Sequence, residues 1–174
     1  MAVSFEGFPR TLQRSALRPG RWFVAADGAR PLLCLATDAI DAEDALCLAF
    51  TTPALEHVDI VAVPISALAE PFGTVEDEVV FAPGQTEGAP MLVSPQRRTV
   101  RNGVLLRLSN GDLGVATVTR KSGQLLTISL HTGARCEGFD LVFERWSLSL
   151  RRGGAETLIG YFKPQNLYAQ RRKL

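Results

Sequence analysis

Groups that do chemistry are scarce in this chain. Two histidines and three cysteines are all that its 174 residues provide. Cys34, Cys47 and Cys136 form an odd set with no Cys-x-x-Cys pair, and Cys34 sits in the apolar run Leu32-Leu33-Cys34-Leu35. They read as small apolar thiols of a reducing compartment, and a cytoplasmic chain is expected. Zinc wants four clustered ligands. Neither His57 nor His131 stands at ligand spacing from a cysteine, so no metal or other cofactor is expected. Gly-x-Ser-x-Gly, His-Glu-x-x-His and Gly-x-x-x-x-Gly-Lys do not occur, which removes the common signatures of hydrolysis and phosphate cradling. No apolar run nears the roughly 20 residues of a membrane span. Met1-Ala2-Val3-Ser4-Phe5-Glu6-Gly7 lacks the basic start and apolar stretch of a secretion signal. Catalysis and membrane contact are not expected.

At 46% apolar and 21% charged the chain is ordinary globular material. Its net charge of +1 hides a division. Residues 1–90 carry five basic and thirteen acidic side chains, net −8, whereas residues 91–174 carry fourteen basic and five acidic, net +9. Such a split points to two units with different partners, or to two units that attract each other.

An internal repeat locates the division. Arg14-x-x-x-Arg18-x-Gly20 followed by Asp27-Gly28 recurs as Arg97-x-x-x-Arg101-x-Gly103 followed by Asn110-Gly111. Further on the register changes by two. Thr51, Glu56, Asp59, Val61, Ser66, Gly73, Phe81 and Pro83 then match Thr132, Glu137, Asp140, Val142, Ser147, Gly154, Phe162 and Pro164. Turn positions coincide as well as apolar ones, which is the mark of a duplicated unit. The organisation expected is an N-terminal arm (1–13), an acidic module (14–83), a Gly/Pro-containing linker (84–96), a basic module (97–164) and a tail (165–174).

Each module reads as strands. Leu126-Thr127-Ile128-Ser129-Leu130 alternates with period two, and so do Phe139, Leu141 and Phe143. Trp146, Leu148 and Leu150 alternate in the opposite phase, so a bulge or corner is needed near Glu144-Arg145. In the first module the aligned place is Val63-Pro64, where a proline interrupts the ladder. Asp27-Gly28 and Asn110-Gly111 are two-residue hairpin signals, and Lys121-Ser122-Gly123 and His131-Thr132-Gly133 close further hairpins. Helical signal is confined to Ile65–Ala69 and to residues 165–174. Five or so short strands in about 70 residues suggest an antiparallel barrel. The fold expected is all-β, with two tandem small antiparallel β-barrel modules related by internal duplication, packed on each other because either alone is marginal.

Arg97, Arg98, Arg101, Arg107, Arg120 and Lys121 gather around the start of the basic module. A guanidinium presents a planar donor fork suited to phosphate, so these six are the candidate ligand-binding residues. Nucleic acid is a weaker fit, because stacking wants exposed aromatics and Phe139, Phe143 and Trp146 fall on the expected core face. In the acidic module Asp38, Asp41, Glu43 and Asp44 read as one solvated loop tip, with Glu76-Asp77-Glu78 as another. The calcium-loop spacing is absent.

Arg-x-x-x-Arg ahead of a barrel resembles PilZ modules, which bind cyclic di-GMP. That family then carries Asp/Asn-x-Ser-x-x-Gly some twenty residues on. Here the corresponding places hold Asp38-Ala39-Ile40 and Arg120-Lys121-Ser122-Gly123, and neither completes the second motif. The resemblance implies PilZ-like or SH3-like barrels with lost or altered nucleotide binding, and singles out Arg97 and Arg101. Together these readings make the chain a non-enzymatic binding or scaffolding protein acting on a protein partner or by self-association. Binding of a phosphate-bearing ligand or cyclic dinucleotide is the alternative, and nucleic-acid binding by the basic module a further one.

Overall fold

The computed structural model describes residues 10–27, 30–54, 57–84, 100–119 and 121–162, and they form a nearly all-β chain. The acidic half supplies β1 (Thr11–Leu12), β2 (Trp22–Asp27), β3 (Arg30–Asp41), β4 (Asp44–Ala54), β5 (His57–Pro64), β6 (Ala69–Thr74) and β7 (Glu78–Pro83). The basic half supplies β8 (Leu105–Leu108), β9 (Leu113–Val118), β10 (Leu125–Ser129), β11 (Phe139–Phe143), β12 (Trp146–Arg152) and β13 (Ala155–Phe162). A curled nine-stranded sheet has the order β1-β6-β2-β3-β4-β5-β13-β12-β7, and a separate four-stranded sheet the order β10-β9-β8-β11.

Strands from spans 14–83 and 97–164 therefore share one sheet. β12 pairs along β7 from Trp146↔Pro83 to Arg151↔Glu78, and β13 meets β5 in one parallel pair, Tyr161↔His57. The two sheets face each other across a single central core. Leu33, Leu35, Leu48, Phe50 and Ile60 of the first half pack there with Leu105, Val115, Leu126, Ile128, Trp146, Leu148 and Phe162 of the second. Rings run through it in contact, from Trp22 and Phe50 by way of Phe81 to Trp146 and Phe162. The indole N–H of Trp146 is satisfied in this apolar setting by donating to the Gly103 carbonyl at 2.8 Å.

β3 and β4 are buried on both faces, which explains their near-continuous apolar runs. Leu33, Leu35, Leu48 and Phe50 turn to the central core, while Leu32, Cys34, Ala36, Cys47 and Ala49 turn to a second cluster closed by Phe23, Ile65 and Phe72. Strand β5 ends at Pro64, as the proline required, and a short 3-10 turn follows at Ile65–Ala67. The corner anticipated at Glu144-Arg145 is a change of sheet: β11 belongs to the four-stranded sheet and β12 to the nine-stranded one.

The repeated Arg–Gly motif folds the same way twice. In the first copy Arg21 N donates to Arg18 O (3.0 Å), Gly20 N to Ala36 O (2.9 Å) and Ala36 N to Arg21 O (2.9 Å). In the second, Val104 N donates to Arg101 O (3.4 Å), Gly103 N to Ala116 O (2.7 Å) and Ala116 N to Val104 O (3.0 Å). Gly20 and Gly103 hold φ at +82° and +86°, the left-handed third position of such a turn. Downstream the likeness ends, since β5 lies beside β4 while the aligned β11 lies beside β8.

Three local expectations are corrected. The β8–β9 connection is a three-residue loop, Ser109-Asn110-Gly111, because Leu108 N reaches Asp112 O at 2.8 Å. Glycine at φ +90° closes it, as such loops require. Phe139 does not share a face with Phe143: the register shifts between Phe139 and Leu141, and Phe139 joins the cluster of Val104, Leu106, Leu108 and Ala116 on the outer face of the small sheet. Finally, Asp38, Asp41 and Asp44 are strand residues. Residues 165–174, read as helical, lie outside the described residues.

Candidate functional site: the seam between the charged halves

Arg97, Arg98 and Arg120 lie outside the described residues. Arg101, Arg107 and Lys121 are exposed but do not converge. Arg107 pairs with Leu113 at the start of β9, whereas Lys121 comes after its end at Val118. Five residues at about 3.4 Å each separate the ends of that strand by roughly 17 Å.

Each of these cations has a different occupation. Arg107 points outward from β8 and closes on Asp140 of β11 with both arms of its fork, Nε to Oδ1 at 2.8 Å and Nη2 to Oδ2 at 2.6 Å. That bidentate bond holds the Asp140 carboxyl below its ordinary value and the Arg107 guanidinium above its own. The planar fork that suited a phosphate is filled by a carboxylate. Lys121 gives Nζ to Asp44 Oδ2 at 2.6 Å, which lowers the Asp44 pKa and raises that of Lys121. Arg101 is in no ion pair with a described residue.

The acidic residues show what the sequence reading missed. Asp38, Asp41 and Asp44 face the basic half. Asp38 Oδ1 accepts the Arg135 backbone N–H at 2.7 Å, and Asp38 N donates to Gly133 O at 3.1 Å. Asp41, only 7% exposed, accepts the Lys121 backbone N–H at 3.2 Å. With the Asp44–Lys121 pair they form a clamp from the tip of the β3–β4 hairpin onto the basic half. The tip itself is a two-residue turn in which Ala42 and Glu43 hold φ at +51° and +76°. Such a turn favours Asn-Gly, and its signal was missing from the sequence. A second set of cross-half pairs joins Arg151 to Glu78 at 3.3 Å and Arg152 to Asp77 where β12 meets β7.

Beside the clamp the two halves touch backbone to backbone. A Cβ added at Gly133 would lie 2.3 Å from Ala36 O and from Gly20 N, and one at Gly20 would lie 2.9 Å from Thr132 O. Only glycine permits that approach. Asn102 makes a further stitch: Nδ2 donates to Ile60 O on β5 at 3.1 Å, and Oδ1 accepts Val118 N of β9 at 2.9 Å.

The remaining candidate groups are set apart from the seam. Cys34 and Cys47 are both fully buried, and their mutual hydrogen bond together with burial pushes the Cys34 thiol well above its ordinary value, away from nucleophilic thiolate. Cys34 stands opposite Ala49 and Cys47 opposite Ala36. As diagonal neighbours their Cα atoms are about 7–8 Å apart, beyond easy disulfide reach. His57 stacks on Phe162, and His131 is exposed in a turn. Among the described residues no three His, Cys, Asp or Glu side chains group to hold a metal ion, and no helix is long and apolar enough to cross a membrane. No family model, curated protein or solved structure matches the chain.

Proposed function

We propose that this chain is a non-enzymatic binding or scaffolding protein that works through protein–protein contact. The observation that carries the reading is where the charged groups go. Asp41, Asp44, Asp77 and Glu78 of the acidic half bind Lys121, Arg151 and Arg152 of the basic half, and Arg107 binds Asp140. Side chains that could serve a reactant instead hold the molecule together. The surface keeps a different set, the apolar side chains Ile40, Val118, Leu125, Leu158 and Tyr161, each more than a third exposed. Duplication of one barrel-like unit, in the PilZ or SH3 manner, belongs to the same proposal, and the two matching Arg–Gly turns support it. The test compares low and high salt. Half-exposed ion pairs are screened, so the thermal midpoint or the mass on size exclusion should change; if neither changes, the electrostatic basis of the reading is gone.

One observation favours a second reading, anion or cyclic-dinucleotide binding through the basic module. Arg101 sits in a turn built like that of Arg18. The Arg18 guanidinium is tied to the carbonyls of Ser15 and Leu17, while Arg101 stays exposed and outside any ion pair among the described residues. Calorimetric titration with cyclic di-GMP tests this, with the Arg97→Ala, Arg101→Ala double variant as control. Heat that vanishes in the variant supports it, and no heat at high micromolar ligand removes it.

A further inference from the structure

Sheet edges expose unpaired backbone donors and acceptors, and proteins blunt them with short strands, bulges, charges or covering segments. Four edges here are blunted. β1 is two residues long. The free side of β13 carries a bulge, because Gly160 and Leu158 face the adjacent Leu148 and Ser149 and leave Ile159 extra. β11 is bulged at Asp140. β10 is covered by its own returning chain, with Ser129 N bound to Ala134 O and Cys136 N to Thr127 O. Among the described residues β7 is the most open edge, interrupted only at its end by Pro83, which has no N–H to offer. It ends the nine-stranded sheet, pairs with β12 in unbroken register for six residues, and is at least partly exposed at every one. Its centre, Val79-Val80-Phe81-Ala82, is uncharged and rich in strand formers.

We infer that the open edge of β7 pairs antiparallel with β7 of a second copy of this chain. The inference rests on the protein-contact reading and names its partner. A strand edge of this kind is self-complementary about a two-fold axis. Pairing about Val80 sets Val80 against its own copy and Val79 against Phe81. The backbone groups of Val79 and Phe81 face the free side because Gly84 N, in the same β7–β12 ladder, is bonded to Arg145 O. The charges that would otherwise oppose the approach lie at one end of the strand, Asp77 and Glu78. Both are neutralised within their own chain, by Arg152 and Arg151. Pairing would join two curled sheets into one continuous sheet, with the hydrogen bonds supplied by backbone.

Light scattering after size exclusion, across a range of concentrations, tests the pairing. The expected mass passes from one chain to two as concentration rises. Val79 and Phe81 pack on the central core, so Val80 points to the opposite face. Val80→Lys should therefore leave the fold intact and hold the mass at one chain. Amide exchange of the unsubstituted protein gives a readout independent of any variant. The Val79 and Phe81 amides, which point away from β12, should exchange about tenfold more slowly when nine chains in ten are paired. A one-chain mass throughout, or a two-chain mass with unchanged exchange in β7, overturns the pairing. A one-chain mass overturns this site alone, since the protein-contact reading stands or falls on its own salt comparison.

Discussion

Gly133 has no room for a side chain and no freedom to accept one. Its φ of +67° is left-handed, and the place of a Cβ is filled by the Ala36 carbonyl and the Gly20 amide. Gly133→Ala must pay for a strained backbone and an overlap with rigid main chain, so unfolding by urea should show a loss of about 3 kcal/mol or more. Gly111 separates the two causes. Its φ is +90° but nothing lies within 4 Å of a Cβ there. Gly111→Ala should cost only about 1–2 kcal/mol, the penalty of a left-handed L-residue. Equal losses at the two positions would contradict the close approach at the seam. The sequence marked His131-Thr132-Gly133 as a turn. It gave no hint that the turn is pressed against Gly20, because that contact joins residues more than a hundred positions apart.

The β3–β4 hairpin is the element in which local preference and tertiary demand disagree. Ala42 and Glu43 both adopt positive φ, a conformation that costs side-chain-bearing residues of order 1 kcal/mol or more each. Replacing the pair with Asn-Gly should raise stability by about 1–2 kcal/mol, measured by denaturant unfolding; no gain would mean that the strain is not there. The same tip predicts a pH dependence. Asp44 is held below its ordinary pKa by Lys121, so its contribution is present above the unfolded carboxyl value and lost as pH falls through the folded one. Lys121 is raised by Asp44, so its contribution is present below the unfolded amine value and lost only as pH climbs through the folded one. The pair is therefore intact around neutrality. Lys121→Ala should lower stability at neutral pH, with the difference shrinking once the pH drops well below the carboxylate range. A penalty that is the same at both pH values would remove the ion pair as its cause.

For the molecule as a whole, the question is whether either half can stand alone. The central core draws on both, and β12 completes its sheet only by pairing with β7. Residues 1–90 and 91–174, produced as separate chains, should each lack a sharp unfolding transition. Mixed, they should regain one along with the near-ultraviolet signal of the packed aromatic rings. With net charges of −8 and +9, their association should weaken as salt rises. Two halves that melt cooperatively on their own would show that the shared core is not needed for folding.

The all-β character, the corner at Glu144-Arg145, the break at Pro64 and the repeat of the Arg–Gly motif were legible in the sequence. Each is a local matter of alternation, glycine or proline, written within a few residues. The charge division was legible too, but not its purpose. Asp38, Asp41 and Asp44 look like a solvated loop tip because nothing beside them in sequence accounts for them. Folding brings Lys121 and Arg135 to them from some eighty to a hundred residues away. The same holds for Arg107, whose fork looks free until β11 sets Asp140 beside it. Composition and periodicity determined that this chain makes strands and, where glycine or proline marks them, roughly where they turn. Which strands share a sheet, and that the opposite charges meet within one molecule, was decided only in the tertiary structure, because pairing partners and burial depend on contacts that no local pattern encodes.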